Sequence, residues 1–262
     1  MIFEKKSVER RDSMSLNYSQ KYLEDVLVRF AYHSTGIEGN SMTLGETRSV
    51  LLDGVIKTAA QRSLREIYEV DNHKAAFHRL LIEADKQTPI NESLILDFHK
   101  DLTQNVVYNA GHFKESTNYI GGADFQTANP EQVPFLIRQW CDNLNYQLEN
   151  SKNEREYLQA LLSSHVQFEQ YHPFSDGNGR TGRLLINFEL AKRNMPFLVI
   201  AREDRPEYVN FLADNDIDKF VDYAENKLKE EKKRRDSFNL EAQKQAEFEK
   251  QQFEMLKKKK DK

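Results

Sequence analysis

The chain has 262 residues, enough for one large domain or two small ones, and its 39% hydrophobic and 31% charged residues are the balance of a globular protein with polar additions. The longest apolar stretch, residues 197–201, falls far short of the roughly 20 residues a membrane span needs, and the opening Met1-Ile-Phe-Glu-Lys-Lys-Ser7 lacks the apolar core of a signal peptide. One cysteine, Cys141, excludes an internal disulfide, offers no zinc-site spacing and fits a reducing cytoplasm.

In chain order, nearly everything reads as helix. Residues 1–20 are polar and expected to fray. Leu23, Val26, Leu27, Phe30 and Ala31 recur at helical spacing. Thr43 and Glu46 form a capping box for a helix carrying Val50, Leu51, Leu52 and Val55. Residues 67–81 predict a long helix, and Asn91 opens another with Leu94, Ile95, Phe98 and Leu102. Residues 110–129 place β-formers between glycines and predict a short hairpin. Residues 131–149, with Cys141 packed beside Ile137, Trp140 and Leu144, and residues 154–170 return to the helical pattern. A further helix is expected from near Arg180, with Leu184, Leu185, Phe188, Leu190 and Ala191 as its apolar positions. Residues 205–216 and a segment from Asp216 follow suit.

Residues 225–262 carry net +4, whereas the remainder carries net −8. The charges of this tail interleave except at residues 232–235 and 257–260, which suits a solvated helix face better than a nucleic-acid surface. Phe238, Phe248 and Phe253 keep no heptad register, so the tail is expected to fold back onto the core or a neighbouring subunit. The reading is an all-α chain with one small hairpin, in three parts: N-terminal helices over 1–60, a core over 61–224 and a helical extension over 225–262.

The densest chemistry lies in His172-Pro-Phe-Ser-Asp-Gly-Asn-Gly-Arg-Thr-Gly-Arg183. Gly177 and Gly179 let a backbone come close to a ligand, and a glycine turn feeding a helix N-terminus is a ready anion site. Asp176 suits a magnesium ion, which favours a carboxylate plus phosphate oxygens. Arg180 and Arg183 can neutralise phosphate charge with forked donors. His172 is the side chain best matched to take a proton near neutral pH. Other phosphate and metal motifs fail here. No Gly-Lys-Ser/Thr ending follows, no strand precedes the GxGxxG letters, and an EF-hand starting at Asp176 would put Arg180 at a ligand position.

This segment resembles the Fic family motif HxFx[DE]GNGRxxR at every defined position. The resemblance implies a helical Fic domain that transfers AMP from ATP to a Ser, Thr or Tyr hydroxyl of a target protein, with Mg2+ and with self-modification as a side activity. It implies His172 as base and Asp176 as metal ligand. Gly177, Asn178 and Gly179 would form the anion nest, and Arg180 and Arg183 would bind phosphates. The hairpin would be a flap that docks the target backbone along Asn118, Tyr119 and Ile120, with Lys114 where the family commonly has Arg. Tyr208 and Asn215 match the helix that borders the adenine. Residues 34–40, Ser-Thr-Gly-Ile-Glu-Gly-Asn, match the family's inhibitory motif [ST]xxxE[GN] through Ser34, Glu38 and Gly39, which implies a Glu38–Arg183 salt bridge. Family members often dimerise. Transfer from another nucleotide donor, removal of AMP and a non-enzymatic interaction protein stay open as rivals.

Overall fold

The computed structural model describes residues 16–56, 61–118 and 127–260. Local sequence signals open most of the helices. Helix α1 (Gln20–Ile37) starts at Ser19, whose hydroxyl accepts the Tyr22 N–H. The expected capping box is present at α2 (Leu44–Arg48), where Thr43 and Glu46 satisfy each other's backbone N–H groups. That helix is shorter than predicted. It passes into a π-helical turn (Ser49–Asp53) and stops at Gly54, whose φ of 66° is left-handed, so Val55 lies outside it. A second capping box, Ser63 with Glu66, opens α3 (Leu64–Asp85). Asn91 caps α4 (Glu92–Thr103) and Asn153 caps α6 (Glu154–Tyr171). Pro134 sits in the first turn of α5 (Val133–Asn150), where its missing N–H leaves no bond unmade.

Helix α7 (Asn178–Lys192) is the centre. Helices α1, α3, α4 and α6 pack around it, and every residue from 180 to 191 is buried. Several of its polar residues are tolerated there because they find partners. Asn187 pairs twice with the Leu198 backbone, at 2.7 and 3.0 Å, and Glu189 takes Lys192 at 3.0 Å and the Tyr157 hydroxyl at 3.2 Å. Phe98, Phe168, Phe174 and Phe188 are fully buried about this helix. Cys141 is buried, as its place in the helical pattern predicts.

One expectation changes. No strand occurs among the described residues: 110–118 and 127–129 run as turns and irregular chain, and the middle of the expected hairpin, with Tyr119 and Ile120, lies outside them. The tail follows α8 (Arg205–Asp214). Helix α9 (Ile217–Lys260) runs unbroken from the core through residue 225. Its start buries Phe220, Val221, Ala224 and Leu228. It then clasps α1, with Glu231 on Arg29 at 2.6 Å, Arg234 on Asp25 at 2.6 Å and Phe238 against Tyr22. The return onto the core ends near Asn239; beyond it Leu240, Phe248, Phe253 and Met255 are exposed. No described helix is long and apolar enough to cross a membrane.

Candidate active site

His172 is the C-cap of α6 and stands in the left-handed region, φ 49° and ψ 59°, where the chain turns back toward α7. Its Nδ1 lies 3.3 Å from the Glu169 carbonyl. A carbonyl can only accept, so Nδ1 carries the proton and Nε2 keeps its lone pair. Burial lowers the pKa of the ring, with the nearby Lys114 charge acting in the same direction against the Glu169 bond, so the imidazole is held in the neutral form a base requires.

The loop from His172 to α7 is closed by its own residues. Asn178 accepts the Phe174 N–H at 2.9 Å and donates back to the Phe174 carbonyl at 2.9 Å. Its side chain therefore shapes the turn and does not face the anion nest, where the motif reading put it. Gly177 has φ 81°, and a Cβ there would stand 2.6 Å from Thr103 Cγ2. Below it, His99 stacks on Phe174 with ring centroids 3.7 Å apart. The Gly111 N–H donates to His99 Nδ1 at 3.0 Å, so Nε2 holds the proton and donates to the Asp176 carbonyl at 3.0 Å. No side chain caps the α7 N-terminus, which leaves its first-turn N–H groups facing the loop opening.

Asp176 is bound on both oxygens. Oδ1 accepts from Arg180 Nη2 at 2.9 Å and from the Gly177 N–H at 2.5 Å, and Oδ2 accepts from Arg65. Burial alone would raise its pKa, but Arg180 and Arg65 together hold it below the usual carboxylate range. Arg180, 1% exposed, also lies 3.5 Å from Glu69, which pairs with Arg65 at 3.0 Å and accepts from Asn40 at 3.0 Å.

At the other end of the site, Arg183 Nη2 donates to Glu38 Oε1 at 2.7 Å and to the Ser34 carbonyl at 2.9 Å, while Nε donates to Ser34 Oγ at 3.1 Å. Burial works against the Arg183 charge, and the Glu38 carboxylate more than offsets it, so the guanidinium's pKa is raised. Glu38 is the C-cap of α1, and Gly39 after it has φ 98°. Tyr208 is buried under this pair. Its hydroxyl lies 2.7 Å from His165 Nε2 and its ring centroid 5.8 Å from the Arg183 guanidinium carbon, so it packs beside Arg183. Asn215 is not brought to the motif. It is exposed at the left-handed end of α8, on a groove it shares with Tyr146, Gln159 and Ser163 that contains no motif residue. Asn118 donates to the Phe174 carbonyl at 2.7 Å, beside the loop.

Sequence reasoning missed Arg65, Glu69, Asn40 and His99. It also missed Glu169, a buried carboxylic acid whose pKa burial pushes up to about 8. Only Arg65 with Glu69 offered a signal, opposite charges at i,i+4 spacing across the start of the helix predicted from residue 67.

Residues 89–190 match the model of the Fic/DOC family. The chain is 31% identical over 227 residues to a protein named protein adenylyltransferase Fic from Drosophila grimshawi, covering 81% of this chain and 44% of that one. It is 29% identical over 192 residues to protein adenylyltransferase fic-1 from Caenorhabditis elegans, covering 72% and 36%. The chain thus spans less than half the length of these curated relatives. Among solved structures, a Fic domain-containing signaling protein from Bacteroides thetaiotaomicron superposes with a TM-score of 0.71 at 28% identity, over 83% of this chain and 90% of that one. Fic-1 from C. elegans superposes equally well, at 0.71 and 26% identity, over 90% and 70%. With the helical core, the loop and the motif in register, the chain belongs to the Fic/DOC family.

Proposed function

We propose that this protein is a protein adenylyltransferase held in check by Glu38. The observation that carries the reading is the seat of the Glu38 carboxylate, 2.7 Å from Arg183 Nη2 and against Gly179, the place the motif reserves for nucleotide phosphate. In the reaction, Nε2 of His172 takes the proton of a target Ser, Thr or Tyr hydroxyl. The oxygen attacks the α-phosphorus of ATP, the new O–P bond replaces the bond to the β-phosphate, and pyrophosphate leaves. The first-turn N–H groups of α7 and the Arg180 and Arg183 guanidiniums stabilise charge on the phosphate oxygens. Glu38 on Arg183 displaces the outer phosphates and misaligns the α-phosphorus; misplacement of about 1 Å can lower a rate roughly 100-fold.

The site suits Mg2+. Asp176 is a carboxylate beside an anion cradle and already draws two guanidiniums. Asp176 would hold the ion, which would neutralise phosphate charge. The target backbone would run beside Asn118, extended along Tyr119 and Ile120. In this reading residues 1–60 carry the brake, 61–224 the catalytic core and 225–262 an extension. A homodimer, self-modification and a cytoplasmic setting belong to the same reading.

The test is transfer of label from α-32P-ATP to protein in a lysate. Glu38→Gly should raise transfer at least tenfold, which needs about 1.4 kcal/mol of better alignment. Glu38→Gly/His172→Ala should abolish it. No labelling from ATP by any variant would overturn AMP transfer, and labelling that survives His172→Ala would overturn the base.

A further inference from the structure

We propose that Lys114 is a positioning residue for the base: it fastens the backbone on both sides of His172 and ties that backbone to the two ends of the 118–127 segment. The inference rests on the adenylyltransferase reading. His172 sits in a left-handed conformation that disfavours a residue with a β-carbon, so its surroundings must hold it there. Local backbone donors are few, because the next residue is Pro173 and has no N–H. Lys114 supplies them from a distance. Its main-chain N–H donates to the Pro173 carbonyl at 2.9 Å, and its ammonium reaches the Tyr171 carbonyl at 3.4 Å. The carbonyls before and after the base are thus both held by one residue.

The same ammonium donates to Asn118 Oδ1 at 2.7 Å and to Thr127 Oγ1 at 3.0 Å. An ammonium has three N–H donors, and these three acceptors match them. Thr127 closes the ring by donating to the Asn118 carbonyl at 2.8 Å. The side chain is 3% exposed, and burial pushes its pKa down to about 8, so the charge is retained at neutral pH at the expense of hydration. Its field also favours the neutral form of His172. The backbone around the base and the two residues that edge the segment, Asn118 and Thr127, are therefore tied together by a single residue.

The experiment compares Lys114→Met and Lys114→Arg in the Glu38→Gly background, with ATP transfer kinetics and an NMR titration of the His172 ring. Lys114→Met should lower kcat roughly 10- to 100-fold, the scale of a lost alignment, with KM for ATP nearly unchanged because the phosphate contacts lie elsewhere. It should also move the His172 titration to higher pH, since a nearby positive charge is removed, while Lys114→Arg restores both in large part. Unchanged kcat together with an unchanged His172 titration would overturn the proposal. The titration needs no turnover, so it decides the role of Lys114 even if no variant transfers AMP, an outcome that would sink the enzymatic reading instead. If Lys114→Met does not fold, Thr127→Val decides: it removes one acceptor, and a normal kcat there would overturn the clamp.

Discussion

Gly179 and Gly182 have ordinary helical backbone, yet a side chain at either would collide with a functional group. A Cβ on Gly179 would lie 2.3 Å from Glu38 Oε1 and 2.7 Å from Arg183 Nη1. On Gly182 it would lie 2.6 Å from Glu169 Oε1 and 2.7 Å from His165 Cε1. Overpacking of this kind costs typically about 1–3 kcal/mol. Gly182→Ala should therefore lower the unfolding free energy by that amount, read as a lower urea midpoint at unchanged m-value, and an unaltered midpoint would mean Glu169 and His165 move aside freely. Gly179, like Gly177, was legible from sequence as a place where the backbone comes close to a ligand, whereas Gly182 was not. The need for Gly179 comes from a carboxylate far away in the chain, which no local pattern encodes. His172, Asp176 and Arg183 were legible because twelve consecutive residues carry them. Asn178 was legible as important but not as a clip on Phe174, and the resemblance that singled out Tyr208 and Asn215 did not foretell that Tyr208 is buried against His165 while Asn215 is exposed at the end of α8.

At the level of elements, the segment joining α1 to α3 reaches both ends of the site. Glu38 covers Arg183, and two residues on, Asn40 holds Glu69, which holds Arg65 on Asp176. A guanidinium therefore stands on the carboxylate that would take a divalent cation. Arg65 is half exposed, so its pair with Asp176 has the strength of a surface ion pair, at most about 1 kcal/mol. Arg65→Ala should tighten Mn2+ binding, followed by electron paramagnetic resonance without turnover, by about two- to fivefold. Weaker binding would show that Arg65 supports the carboxylate instead of competing for it. Helix starts were the most legible elements, since Thr43 and Asn91 both cap where the sequence places them. The end of α2 was not: apolar spacing continued to Val55, but Gly54 in a left-handed turn stopped the helix. The hairpin rested on residue type alone, and its described flanks form no strand.

For the whole molecule, pH is the revealing variable. His73, His99 and His165 are buried, and burial lowers their pKa values to about 3, about 4 and about 3. Each therefore stabilises the fold fully above its unfolded value near 6.5, and that stability is lost as pH falls toward the folded value. Glu169 opposes them: its pKa, raised to about 8, contributes stability that is complete below about 4.5 and lost as pH rises through 8. Near pH 5 the unfolded chain thus binds about two more protons than the folded one at these four sites, a slope on the order of a few kcal/mol per pH unit. Urea midpoints should fall steeply from pH 6.5 to 4.5, and a flat profile would show that these histidines are hydrated in the folded protein. None of this was legible in advance, because burial of a histidine depends on packing among four helices.

The partners in the Glu38–Arg183 bridge differ in one respect: the Arg183 side chain is 3% exposed and that of Glu38 is 42% exposed. Glu38 can leave into water at little cost, whereas Arg183 left alone would be a buried cation short of its counter-ion. The seat therefore exchanges anions and is not vacated. Whatever lifts Glu38 must put another negative group in its place, and polyphosphate is the natural exchanger. Under the proposed function, braking and nucleotide binding would be two sides of one competition, set by mass action, and the degree of restraint a property of the nucleotide concentration as much as of the protein.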